Sequence, residues 1–294
     1  MRKLKRLITI TGAVIPGEKL GRKINFPTAN LSLTKKPSIK PGVYVALCYL
    51  NTKSYLGLAY YGKRYIFNQS QNSFEVYLFD LNQNIYGRVL KVKLTHWLRP
   101  PLKLTSLKKL QTQLEKDQAG LNQAVVLVDK TDQHLGLETK VKAHQGGGKL
   151  HRAISVFLFN SKGELLIQQR SRFKTLWPLV WANTCCSHPQ IGESYRKAAK
   201  RRLYQEFGIK AKLRLHHQFI YQAKYRHLGS EYEHNAVFLG VSNQPPKPDR
   251  KEIKAWQYIS LKTLRADIKA HPDQYGPWLK LIVKKIRSSD IFNS

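Results

Sequence analysis

The sequence predicts two domains, a small all-β barrel with a C-terminal helix and then an α/β sandwich built on a mixed sheet, and three observations carry that prediction. Up to residue 105 the apolar residues fall in short runs rich in β-branched and aromatic side chains, parted by Gly, Asn and Pro clusters. Beyond residue 124 such runs alternate with stretches of helical periodicity. With 294 residues, 42% hydrophobic and 11% aromatic, the chain has material for two cores rather than one.

In the first half the runs at 7–14, 43–50, 54–60, 74–81 and 88–97 read as strands of a barrel. Leu107, Leu110 and Leu114, spaced by three and four, mark a helix that ends at Gly120. The joint is placed near residue 122, giving domains 1–122 and 123–294. In the second half 125–129, 154–160 and 164–169 read as strands, the last two joined by a turn at Ser161, Lys162 and Gly163. A helix over 193–207 is closed by Gly208, which suits a left-handed C-terminal cap. Strands at 216–224, 234–241 and 255–259 and helices at 261–269 and 277–287 complete the pattern. The three glycines at 146–148 are expected to form a mobile loop, and no repeat or low-complexity tract interrupts the chain.

Composition excludes several classes. Three cysteines, two of them adjacent, give no disulfide framework and suit the reducing cytoplasm. The basic N-terminal run leads into strand-like alternation, which fits neither a secretory signal nor a membrane span. The formal net charge of +33 invites a polyanion partner. Its distribution argues otherwise: residues 1–123 hold 21 Lys/Arg against 5 Asp/Glu and residues 124–294 hold 30 against 13, so the excess forms no tail or stripe. A basic protein that grips polyanions is therefore kept as an alternative, and no specific nucleic acid is expected.

The segment 181–189 reads as a catalytic loop, because it sets a thiol and an imidazole two residues apart, Cys186 and His188. His144 and His151 lie upstream. Glu231 and Glu233 lie downstream, and in an extended segment both carboxylates share one face. That mixed nitrogen and oxygen set fits magnesium or manganese and also permits zinc. His216, His217, His227 and His234 read as surface or hydrogen-bonded residues.

The segments 138–144, 150–159 and 181–189, Gln168 to Arg170 with Lys174, Trp177 and Pro178, and Glu231-Tyr232-Glu233 together resemble the type 1 isopentenyl-diphosphate isomerases, over essentially all of 124–294. The resemblance implies interconversion of isopentenyl and dimethylallyl diphosphate on a Nudix-like scaffold, by protonation and deprotonation through a carbocation. It implies Cys186 and Glu233 as the acid–base pair, Tyr221 beside them, and Trp278 facing the cation. It implies metal ligation by His144, His151, His188, Glu231 and Glu233. Lys140, Arg170, Lys174 and Arg202 would take the diphosphate, and Glu206 a second magnesium. Residues 193–209 also resemble the Nudix helix of diphosphate hydrolases, keeping Glu193, Glu206, Gly208 and Ile209. Ser187, Arg202 and Gln205 replace other members of that box, which makes a diphosphohydrolase the weaker alternative.

The segments 25–31, 74–80 and 85–87, with Gly42 to Tyr44, Leu98 and Arg99, resemble riboflavin kinase over residues 8–120. The resemblance implies ATP as co-substrate and phosphorylation of riboflavin. Thr28 and Asn30 would contact metal and phosphates, the loop 17–25 would cover ATP, and Glu75 would accept the hydroxyl proton. Two departures stand out. Asn25 replaces a glycine, a mild change because Asn tolerates positive φ, and Tyr65 and Ile66 replace a Pro-Thr pair.

Overall fold

The computed structural model describes residues 2–18, 20–63, 72–79, 81, 83–121 and 124–292. The predicted joint near residue 122, Tyr65, Ile66 and the end of the 74–80 motif lie outside those residues. Contacts divide the chain into two compact units, Met1–Leu137 and Glu138–Ser294. The division falls inside the strand His134–Thr139, in residues that the sequence reading assigns to the second domain.

In the first unit β1 (Arg2–Ile15), α1 (Leu20–Lys23), β2 (Thr28–Ser32), β3 (Gly42–Leu50), β4 (Lys53–Lys63), β5 (Asn72–Leu78) and β6 (Val89–Arg99) succeed one another. The strands close an antiparallel barrel in the order β1-β2-β5-β4-β3-β6, with β6 returning to β1. Period-two alternation fills it: Tyr44, Ala46, Cys48 and Leu50, then Phe74, Val76 and Leu78, then Leu90, Val92 and Leu94 all enter one buried cluster. α2 (Leu107–Ala119) starts where Ser106 accepts from the Lys109 amide. It is tied to the end of β6 by Arg99, which donates to the buried Asp117 carboxylate at 2.8 and 2.6 Å. β7 (Ala124–Val128) and β8 (His134–Thr139) then pair with each other. Gln133 Oε1 accepts from the Ser54 amide at 3.1 Å and so fixes the hairpin against the start of β4.

The second unit runs α3 (Lys140–His144), β9 (His151–Phe159), β10 (Glu164–Arg170), β11 (Trp181–Ala182), β12 (Cys185–Ser187), α4 (Tyr195–Phe207), β13 (Leu213–Tyr225), β14 (Gly229–Val241), β15 (Ile253–Ser260), α5 (Leu261–Ala270), α6 (Pro277–Val283) and α7 (Ser289–Phe292). Its sheet has the order β11-β10-β9-β14-β13, with β12 also on β9 and β15 on β10. The β9–β14 pair is parallel and the others antiparallel, so the sheet is mixed as predicted. One face packs Ile154, Val156 and Leu158 against Ala198, Leu203 and Phe207 of α4. The other packs Phe157 and Phe159 against Leu264 of α5 and Leu279 and Ile282 of α6. Strand β9 is thus buried on both sides, which is why 156–159 is an unbroken apolar run.

Three expectations are corrected here. Cys186 sits in a strand rather than a loop, because Cys185, Cys186 and Ser187 register against Val156, Ser155 and Ile154. The glycines at 146–148 form a bonded turn: Lys149 N donates to Ala143 O, Ser230 Oγ to Gly146 O and Gln222 Nε2 to Gly147 O. The helix expected over 277–287 stops at Val283, and α7 follows it. Among the described residues no helix is long and apolar enough to cross a membrane.

Candidate active site

The side chains of the second unit that carry chemistry share one face of its sheet. On β9, His151 and Ser155 lie on the same side as Phe157. On β14, Glu231, Glu233 and Asn235 lie on the same side as Val237. Adjacent Cys185 and Cys186 part company by the same rule, Cys185 entering the core under α4 and Cys186 facing the opposite side. The result is a cavity of ≈ 480 Å³ walled by Lys140, His144, Arg170, Lys174, Cys186, His188, Tyr221, Glu231, Glu233 and Trp278. His151 stands fully buried behind it.

Three imidazoles meet there. His144 Nδ1 lies 2.6 Å from Lys140 O and His151 Nδ1 2.6 Å from Lys149 O. A carbonyl only accepts, so each Nδ1 carries a proton and Nε2 is the atom each ring turns toward the cluster. His151 Nε2 faces His188 Nε2 at 3.0 Å, and His144 Nε2 lies 2.8 Å from Glu231 Oε2. That carboxylate oxygen is buried and, despite the close approach, has no well-directed hydrogen bond. One donor atom from each of His144, His151, His188 and Glu231 lies within 4.8 Å of the others. Burial, then neighbouring His188, lowers His151 to about 4. Burial, then the Lys140 charge, holds His188 well below the ordinary imidazole value. Burial opposes protonation of His144 too, but Glu231 outweighs it and raises that pKa. Two imidazoles that resist protonation, His151 and His188, beside His144 and a buried Glu231 oxygen fit a divalent cation. Glu233 Oε1 lies 3.6 Å from His188 Nε2, at the edge of the set.

Glu233 Oε2 accepts from Tyr221 Oη and from Asn235 Nδ2, both at 2.8 Å. Burial and the Glu233 charge raise the Tyr221 phenol well above its usual value, so it stays protonated and donates. Burial first, then Glu233, pushes the Cys186 thiol up to about 12. Its sulfur donates to Asn183 Oδ1 at 3.0 Å, and the same oxygen accepts from Trp278 Nε1 at 3.0 Å. Asn183 in turn donates to Val156 O and Cys185 O. Arg170 lies over the Trp278 ring at 5.3 Å and donates to Trp177 O and Leu176 O.

Arg202 and Glu206, expected at the diphosphate, are not on the cavity wall. Glu206 is 3% exposed and is held by Arg202 and by Gln168 Nε2 at 3.0 Å. Burial raises its pKa despite the Arg202 charge. Sequence reasoning did not single out Asn183 or Asn235. Asn183 sits inside the 181–189 segment and Asn235 lies two residues beyond Glu233 on the same strand face, so position alone pointed to both.

In the first unit Thr28, Asn30 and Glu75 line a cavity of ≈ 170 Å³ together with Gly17, Arg22 and the three α2 leucines. Asn30 registers against Glu75 across β2 and β5, and Thr28 Oγ1 donates to Glu75 Oε2 at 3.3 Å. Asn25 adopts φ +61°, the left-handed conformation its place in the motif demands. A Cβ at Gly17 would come 2.0 Å from Asn30 Nδ2, so a larger residue there would have to displace the Asn30 side chain.

The riboflavin kinase family model matches residues 4–125, and the NUDIX domain model matches residues 149–281. The chain is 42% identical over 163 residues to an isopentenyl-diphosphate Delta-isomerase of Halorhodospira halophila, spanning 55% of this chain and 93% of that protein. The chain belongs to the isopentenyl-diphosphate Delta-isomerase family. Isopentenyl-diphosphate Delta-isomerase 1 of Aromatoleum aromaticum is 40% identical over 162 residues, 55% of this chain and 91% of that one. The solved structure of DR0079 from Deinococcus radiodurans has a TM-score of 0.47 and 22% identity, covering 55% of this chain and 98% of that one. Membership in the isomerase family thus rests on the second half, and a riboflavin kinase domain precedes it.

Proposed function

We propose that the second unit isomerises isopentenyl diphosphate to dimethylallyl diphosphate. The observation that carries this is the presence of Cys186 and Glu233 on the wall of one cavity that also holds Trp278 and the cations Lys140, Arg170 and Lys174. Isomerisation adds a proton to one end of the alkene and removes one from a carbon beyond it, with no net change of atoms. A thiol that keeps its proton and a carboxylate supplied with hydrogen bonds by Tyr221 and Asn235 form a pair able to exchange roles between the two directions. The tertiary cation between the two steps needs a dry chamber, and the Trp278 face offers it a π surface.

Lys140, Arg170 and Lys174 hold the diphosphate, which anchors the five-carbon chain before either proton moves. Burial, then repulsion from Lys174 and Arg202, lowers the Lys140 pKa against the opposing pull of Glu231 and Glu252. His144, His151, His188 and Glu231, with Glu233 at their edge, would hold a divalent cation, with magnesium or manganese favoured and zinc allowed by the imidazoles. Such a cation supplies fixed positive charge beside Glu233 when bound. The free thiols suit a reducing cytoplasm.

Purified protein given labelled isopentenyl diphosphate and magnesium is expected to form dimethylallyl diphosphate. Release of phosphate instead would favour a Nudix diphosphohydrolase, and salt-sensitive polyanion binding without turnover would favour a polyanion-binding protein. For the first unit, the shared cavity of Thr28, Asn30 and Glu75 supports phosphorylation of riboflavin to FMN with ATP. ATP-dependent FMN formation that Glu75→Gln removes is the expected result, and no FMN from the unaltered protein would sink it.

A further inference from the structure

One carboxylate outside the cavity pairs with a cation on its wall, Lys174, and with a cation behind it, Arg202. Glu252 pairs through Oε2 with Lys174 and through Oε1 with Arg202 Nη2 at 3.4 Å. Lys174 is on the cavity wall and Glu252 is not, so this carboxylate reaches the substrate space only through its partners. Its backbone is clamped on both sides. Before it, Lys247 N and Asp249 N donate to Phe207 O and Glu206 O at the end of α4, and Ile253 N donates to Asp249 O. From it, Glu252 O accepts from Ser171 N, at the head of the loop that carries Lys174. The turn therefore fixes the position of Glu252 relative to both α4, which bears Arg202, and the 171–174 loop.

We infer that Glu252 is a positioning residue for the diphosphate, holding Lys174 toward the cavity and linking it to Arg202. The inference rests on the proposed diphosphate-binding role of this wall. Lys140, Lys174 and Arg202 repel one another, and without a shared anion the flexible Lys174 stem would turn to solvent. Partial burial alone would raise the Glu252 pKa, but Lys174 and Arg202 hold its carboxyl below the ordinary range. Bare charge arithmetic makes the opposite prediction, since deleting an anion beside a diphosphate site should tighten anion binding. The two accounts are therefore distinguishable by sign.

The test compares the full-length protein with Glu252→Gln and Glu252→Asp, reading KM for isopentenyl diphosphate, kcat, and the Kd of magnesium pyrophosphate by calorimetry. Losing the orientation of one cation should raise KM and Kd in parallel by about tenfold, equivalent to ~1.4 kcal/mol, with kcat changed much less. The shortened Asp, which keeps the charge but cannot span both partners, should do no better than Gln. In a Lys174→Ala background, Glu252→Gln should add nothing to Kd, which a merely structural defect would not reproduce. Unchanged or lower KM and Kd, a wild-type-like Glu252→Asp, or full additivity with Lys174→Ala would each overturn the inference. If the unaltered protein binds magnesium pyrophosphate without isomerising, and Glu252→Gln still weakens that binding, the positioning role stands while the isomerase reading falls.

Discussion

At the scale of single residues the site separates groups that act from groups that aim them. Cys186→Ala and Glu233→Gln are each expected to abolish isomerisation, checked by conversion of labelled isopentenyl diphosphate, while circular dichroism stays unchanged. Asn183→Ala should do two things at once, because one amide oxygen holds both the Cys186 thiol and the Trp278 indole. It leaves a buried cavity and orphaned partners, a loss of about 2–4 kcal/mol in urea unfolding together with impaired turnover. Histidines, glutamates and the reactive cysteine were legible because their chemistry is written in their side chains. Asn183, Asn235 and Glu252 were not, since an amide or carboxylate becomes important only through whichever atoms the fold brings to it.

At the scale of elements, periodicity found the long strands and helices and missed the short ones. β2 has five residues and β12 three, too few for alternation to declare itself, and both carry residues assigned to a site. The Cys185–Cys186 pair shows what register decides: a slip of one residue would bury the reactive thiol under α4 and turn its inert neighbour to the cavity. The cap of α4 was readable, and Gly208 does adopt φ +67° there. Gly208→Ala should cost about 1 kcal/mol, measured as a shift in the urea midpoint, because the left-handed conformation penalises any Cβ. Lys247 Cβ, 3.2 Å from where that methyl would stand, adds to the penalty.

At the scale of the whole molecule the chain is two cores in succession, each with its own cavity. Magnesium pyrophosphate at 100 times its Kd should stabilise only the second by about 2.7 kcal/mol, seen in calorimetry as one transition moving while another stays. A chelator should reverse that shift and stop isomerisation, with FMN formation restored by magnesium as a separate readout. The fold class, the barrel and the mixed sheet were legible from composition and periodicity. Motif position singled out Lys140, Arg170 and Lys174 among fifty-one cations, whereas charge alone could not, because a basic residue on a solvated face and one on a binding wall look alike until the backbone is folded.

His144 and His151 each spend their Nδ1 proton on a main-chain oxygen. An ion entering between them therefore meets rings whose orientation was chosen when α3 and β9 formed, and it need not wait for either ring to turn over. Swapping a neighbouring side chain would leave that arrangement intact, whereas rerouting the trace at residue 140 or 149 would rotate the socket itself.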